Sequence, residues 1–214
     1  MEFRQRLGSG GFAEVFEGIY EGQTVAIKRM KTTTKNPAAT REAFQSEACV
    51  VGLKQVPRAQ TLQSLINDRT TYAWRTYAKQ LVEAVTYLHS NNLLHLDLKP
   101  ANVLVNQHEQ CKVIDFGCAQ PRCNPSRSAC QGTLAYRAPD LFKGCLPTTK
   151  ADIYSLAITL WSLKHQQTPY QGQNNDSLIY QVVTFHRRPS PDPEFQRLWD
   201  ANPEQRPDAE QLTF

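Results

Sequence analysis

The chain has 214 residues, 40% of them hydrophobic, enough for a substantial core but too few for two large domains. Its 24 basic and 20 acidic residues leave a net charge of +4 and are scattered along the chain, so they indicate neither a nucleic-acid arm nor a basic membrane patch. No apolar run is long enough to span a bilayer, and repeats and low-complexity segments are absent.

Residues 3 to 30 predict three strands, with Phe3, Leu7, Val15, Phe16, Ile19, Val25 and Ile27 as apolar positions and Glu21-Gly22-Gln23 as a turn. Between the first two strands runs Leu7-Gly8-Ser9-Gly10-Gly11-Phe12-Ala13-Glu14-Val15. Missing side chains there let backbone N–H groups approach phosphate oxygens, although a plain hairpin has the same look. A dinucleotide-binding fingerprint would need a helix after the glycines, and Val15, Phe16 and Ile19 read as strand. The third strand carries Val25-Ala26-Ile27-Lys28. From about Thr40 to Leu53, Phe44, Ala48 and Val51 recur at helical spacing, with Thr40 as N-cap and Glu47 on the helix.

A helical segment at Thr61–Ile66 follows directly on Lys54 to Gln60. Thr71 to Ser90 predicts a longer helix, with Ala73, Tyr77, Leu81, Ala84 and Leu88 along one face and Asn91-Asn92 ending it. Val103–Val105 and Lys112–Ile114 read as short strands, and Asp115-Phe116-Gly117 opens a long loop that runs to Ala138-Pro139-Asp140. Ala151 to Lys164 is so apolar that burial on most faces is expected, making it the core of the larger part of the molecule. Asp176 to Phe185 reads as an amphipathic helix, and the Pro-rich stretch 189 to 193 as a turn before a short tail.

The six cysteines follow no leader pattern, so reduced thiols and a cytoplasmic location are expected. Cys118, Cys123 and Cys130 crowd one loop but lack the paired spacing and the histidine of common zinc sites.

His95-Leu96-Asp97-Leu98-Lys99-Pro100-Ala101-Asn102 places a carboxylate, an ammonium and a carboxamide on one short loop. Asp97 can take a proton from an attacking hydroxyl, Lys99 can sit near a transferring phosphoryl group, and Asn102 can hold a magnesium ion. The stretch resembles the catalytic loop of eukaryotic protein kinases, with Leu96 where most members carry Arg. The resemblance implies ATP and Mg2+ as cofactors and an α+β, bilobal fold. Lys28 would grip the nucleotide phosphates and pair with Glu47, while Leu7 to Val15, Ala26 and Leu104 would line the nucleotide pocket. Asp115 would be the second magnesium ligand, and Phe116 would pack between the lobes. His95 reads as structural. The resemblance further pairs Asp140 with Arg206, makes Asp152 the anchor of the catalytic loop through backbone hydrogen bonds, and reads Lys99 with Thr133 as the mark of a serine or threonine acceptor. Leu96 cannot pair with a phosphate, so Ser126 and Ser128, if phosphorylated, are not expected to order the loop through that pocket.

The catalytic loop taken with Cys111-Lys112, Asp115-Phe116-Gly117-Cys118, Lys150-Ala151-Asp152-Ile153-Tyr154-Ser155 and Ala157-Ile158-Thr159-Leu160-Trp161 is similar to the Mos kinase family over nearly the whole chain. That resemblance implies a monomeric serine/threonine kinase acting on a MAP kinase kinase in oocyte meiotic maturation, with no nucleic-acid or membrane partner. One kinase domain over 1–214 is expected, with a truncated N-terminal β lobe in 1–60 and a mainly helical C-terminal lobe in 61–214. The truncation follows from length. Two strands and an adenine-binding hinge need roughly twenty residues, which Lys54 to Gln60 cannot supply, so the third strand should become an edge. An incomplete or spliced product of an active kinase gene, and a shortened protein that binds partners without transferring phosphate, are the competing accounts.

Overall fold

The computed structural model describes residues 2–9, 13–20, 23–30, 60–126 and 132–214, which divide between two units, Met1–Ala59 and Gln60–Phe214. In the first, strands β1 (Glu2–Ser9), β2 (Ala13–Tyr20) and β3 (Gln23–Met30) form an antiparallel meander with β2 in the middle. The β2–β3 register is unbroken from Ala13↔Met30 to Tyr20↔Gln23, whereas β1 slips on both sides of Arg6. The three strands stand where the sequence places them, and among the described residues β3 pairs only with β2. Gly10, Gly11, Phe12, the Thr40–Leu53 helix and Glu47 lie outside the described residues.

The second unit begins with β4 (Gln60–Thr61) and helix α1 (Leu62–Asn67). Thr61 is the N-cap, its hydroxyl accepting from the Ser64 amide at 3.1 Å. Helix α2 (Trp74–Ser90) buries Tyr77, Ala78, Leu81, Val82, Val85, Leu88 and His89, the stripe expected of an amphipathic helix. It starts later than the Thr71 read from sequence, because the residues before it are held elsewhere: the Tyr72 hydroxyl donates to the Leu163 carbonyl at 3.0 Å, and Gln166 donates to the Thr70 carbonyl at 2.9 Å. Strand β5 (Leu93–Leu94) pairs with β8 (Gln120–Pro121), while β6 (Val103–Val105) and β7 (Cys111–Val113) form a hairpin whose outer side takes β4. The hairpin strand ends at Val113, since the Ile114 amide turns to the Asn102 carbonyl at 2.9 Å.

The remaining helices are the single turn α3 (Pro139–Phe142), α4 (Thr149–His165) and α5 (Asn175–Thr184). Thr148 caps α4, Asp152 lies in its first turn and Lys164 and His165 in its last, so both ends suit the helix dipole. Ile153, Leu156, Ile158, Leu160 and Leu163 are fully buried on it, each worth roughly 1.5–3 kcal/mol of apolar burial. α4 is therefore the axis of the core. No helix among the described residues is long and apolar enough to cross a membrane.

One expectation is corrected. Cys118 is disulfide-bonded, whereas reduced thiols were expected throughout; which sulfurs the fold brings within bonding distance is set by three-dimensional geometry and not by spacing along the chain. Cys111, Cys123 and Cys145 are free.

Candidate active site

The segment His95–Asn102 joins β5 to β6, and the segment 114–119 joins β7 to β8, so two strand pairings bring the two loops together. Asp152 of α4, fully buried, fixes the first of them. Its carboxylate accepts the His95 amide at 2.9 Å and the Leu96 amide at 2.8 Å, and meets His89 Nε2 at 3.0 Å. Leu96 can then adopt φ 63 and Asp115, in the facing loop, also φ 63. Left-handed backbone costs a non-glycine residue on the order of 1–3 kcal/mol and persists only where its surroundings impose it.

Asp97 is the hub. Its Oδ2 accepts from Lys99 Nζ at 2.9 Å and from Asn102 Nδ2 at 3.0 Å, its Oδ1 from the Thr133 amide at 2.8 Å, and its backbone carbonyl again from Asn102 Nδ2 at 2.8 Å. Lys99 Nζ also donates to the Thr133 hydroxyl at 2.6 Å. With its nitrogen committed, Asn102 has its amide oxygen to offer a cation. Asp115 follows Ile114, whose amide holds the Asn102 carbonyl, so the two oxygen donors come from tied loops. Among the described residues no group of three or more His, Cys, Asp or Glu side chains could hold a metal. Two protein oxygens suit magnesium, which keeps waters and takes the rest of its shell from phosphates.

Gly132 makes the approach of the Thr133 segment possible. Its φ is +64, and a Cβ there would lie 2.4 Å from the Leu96 carbonyl oxygen. Gly132→Ala should therefore push Thr133 off Asp97 and lower stability by about 1–3 kcal/mol. Melting curves check the loss, and faster hydrogen exchange of the Thr133 amide checks the displacement.

His95 is fully buried, with Phe116 against it edge-on at 4.9 Å between ring centres. Nε2 lies 3.2 Å from the Ile114 carbonyl, which can only accept, and Nδ1 takes the Asp97 amide at 3.3 Å. The ring is thus neutral with its proton on Nε2, a structural tie between the Asp97 loop and the Asp115 loop. Burial, the largest influence, pushes its pKa down against the opposing pull of Asp152, the Ile114 carbonyl, Asp97 and Asp115. The unfolded chain takes up this proton near pH 6.5. Stability from the neutral ring is complete above that value and is lost as pH falls below it, by at most about 1.4 kcal/mol per pH unit. Urea unfolding at pH 7.5 and 5.5 should show the loss, and His95→Phe should flatten it.

The other sequence-derived residues divide by unit. Leu104 is half-buried on β6. Leu7, Gly8, Ser9, Ala13, Glu14, Val15, Ala26 and Lys28 lie in the meander, where Gly8 opposes Val15, Ser9 opposes Glu14, and Val15 opposes Lys28. Arg206, nearly fully buried, donates to Asp140 Oδ1 at 2.6 Å, closing the expected pair. His89 was not anticipated; its only signal is a polar residue at the end of the buried stripe of α2.

Residues 43–213 match the family model described as "Protein kinase domain". The chain is 34% identical over 261 aligned positions to "Serine/threonine-protein kinase mos" of Xenopus laevis, covering 96% of this chain and 72% of that protein. The same name in Patiria pectinifera goes with 36% identity over 219 positions, 86% of this chain and 62% of the relative. The "Proto-oncogene serine/threonine-protein kinase mos" of Rattus norvegicus matches at 33% over 263 positions, 97% and 77%. All three alignments are longer than the chain of 214 residues, so they contain gaps where the relatives carry residues that this chain lacks.

Proposed function

The chain belongs to the protein kinase family, among the Mos serine/threonine kinases, and from that premise we propose that it transfers the ATP γ-phosphate to a serine or threonine hydroxyl of a MAP kinase kinase. What supports the reading is the Asp97 carboxylate, held by Lys99 and Asn102 on Oδ2 and by the Thr133 amide on Oδ1. In this role Asp97 orients the acceptor hydroxyl and takes its proton, and Lys99 neutralises charge on the transferring group. Asn102 and Asp115 would hold Mg2+. ATP, when bound, supplies the phosphoryl group and its leaving nucleotide. Lys28, paired with Glu47, and the glycine-rich turn would bind the nucleotide phosphates. The setting implied by the resemblance is a cytoplasmic, monomeric kinase of oocyte meiosis.

A second reading, a scaffold without transfer activity or an incomplete gene product, is favoured by the shortness of Lys54 to Gln60 and by the alignment gaps. Magnesium-dependent transfer of label from ATP to a kinase-dead MAP kinase kinase separates them. Transfer supports the kinase; no transfer together with no shift in melting temperature on adding Mg-ATP supports the scaffold. Because Leu96 is apolar and buried, phosphatase treatment should leave any measured activity within about twofold; a large loss mapped to Ser126 or Ser128 would refute that expectation.

A further inference from the structure

Gln120 carries a polar side chain into an apolar place. It lies in β8 opposite Leu94 of β5, which is fully buried, and is itself only 6% exposed. Its carboxamide oxygen accepts the Ser126 amide at 2.6 Å, so the chain turns through residues 121–125 and is fastened back onto the strand it has just left. A buried oxygen deprived of its donor keeps the cost of its desolvation, which makes this a bond the fold holds firmly. Phosphate transfer by Asp97 and its partners makes no direct use of it.

The bond lies within the segment that opens at Asp115 and returns at Thr133. That segment is tied at both ends to the floor that carries Asp97. At its start, β8 pairs with β5, the strand leading straight into His95, and the Arg122 amide donates to the Asn92 carbonyl at 2.7 Å. At its end, the Thr133 amide donates to Asp97 Oδ1. Gln120 adds a hold at Ser126, further along the way to Thr133 than Arg122. A hold that shortens the interval left to close lowers the entropy cost of bringing Thr133 onto Asp97. The bond joins a neutral carboxamide to a backbone amide, and so draws on neither the Ser126 hydroxyl nor any charge placed there. Leu96, buried and apolar beside Asp97, offers a phosphate nothing, whereas Gln120 holds Ser126 from β8.

We propose that Gln120 is a positioning residue for the protein acceptor: it fastens the Ser126 backbone to β8 and so sets, without phosphorylation, the loop that delivers Thr133 to Asp97. The role rests on the kinase reading and names a source of order within it.

Two variants of the full chain separate the amide from the hydroxyl. Gln120→Met keeps the side-chain volume and removes the acceptor oxygen, while Ser126→Ala removes the hydroxyl and keeps the amide. By hydrogen exchange, the Ser126 amide in Gln120→Met should exchange about tenfold faster, with the Arg122, His95 and Leu96 amides unchanged. In kinetics on phosphatase-treated protein, KM for dephosphorylated casein should rise about fivefold in Gln120→Met, with KM for ATP and hydrolysis of ATP by water within about twofold of the parent chain. Ser126→Ala should match the parent in exchange and in kinetics. Unchanged exchange at position 126, equal acceleration of all these amides, an unmoved KM for casein, or a KM for ATP that rises in step with it overturns the proposal. So does a Ser126→Ala variant that loses as much as Gln120→Met, since the hydroxyl would then be the working group. If the parent chain transfers no phosphate, the kinase reading fails by itself, and the exchange measurement, which needs no nucleotide, still decides whether Gln120 holds this loop.

Discussion

Asp97→Asn should cut magnesium-dependent phosphate transfer by at least about 100-fold while leaving the fold intact. The substitution preserves shape and removes two things. One is the basic oxygen proposed to receive the acceptor proton. The other is the all-acceptor character of the carboxylate, which here faces donors on both sides: Lys99 Nζ and Asn102 Nδ2 on Oδ2, and the Thr133 amide on Oδ1. An Asn carboxamide offers one oxygen and one NH2 group. In either orientation a donor confronts a donor, so the variant either repels Thr133 or breaks its ties to Lys99 and Asn102. Charge loss and mispairing act in the same direction, and both act at the reacting centre. Labelled ATP and a kinase-dead MAP kinase kinase provide the assay, with melting curves to confirm folding. Activity within tenfold of the parent chain would place the base elsewhere.

The loop around Asp97 was legible because its chemistry is local: six consecutive positions carry the carboxylate, the ammonium and the carboxamide, and their spacing survives any rearrangement of the rest. Helix α4 was legible for a different reason, an apolar run too continuous for a surface helix. What sequence could not show is set by distant partners. Periodicity carried α2 back to Thr71, but the hydroxyl of Tyr72 is taken by Leu163 and the carbonyl of Thr70 by Gln166, and neither contact leaves a trace in local pattern. His89 sits on the stripe of α2 where any apolar residue would satisfy the period; its meaning comes from Asp152, far along the chain. The hydroxyls of Ser155, Thr159 and Ser162 likewise read as small residues in a buried helix until the segments opposite them are placed. Asp140 and Arg206 were paired by resemblance rather than by pattern, and the contact closes at 2.6 Å although the acid is the shorter of the two possible.

Arg206→Leu should be the most destabilising single change in the larger unit, by about 3–5 kcal/mol. Arg206 and Asp140 are 1% and 6% exposed, so neither charge can recover its hydration when the other is removed. The guanidinium does more than pair. It donates to the Asp200 carbonyl at 2.8 Å and to the Lys150 carbonyl at 2.9 Å, and lies 5.2 Å over the Tyr154 ring, with Arg188 over the same ring at 5.0 Å. Leu would leave two carbonyls and one carboxylate unsatisfied in a site closed to water. At about 2–4 °C per kcal/mol for a unit of this size, the melting temperature should fall by roughly 6–20 °C. The double variant Asp140→Leu with Arg206→Leu separates the causes. If the cost lies in the stranded charge, the second substitution should recover more than half of the loss, because apolar groups packed in place of a buried pair are often neutral. If the double variant is as unstable as Arg206→Leu, the carbonyl bonds to residues 150 and 200 are the main contribution, and the arginine acts as a clamp between the start of α4 and the C-terminal segment rather than as half of an ion pair.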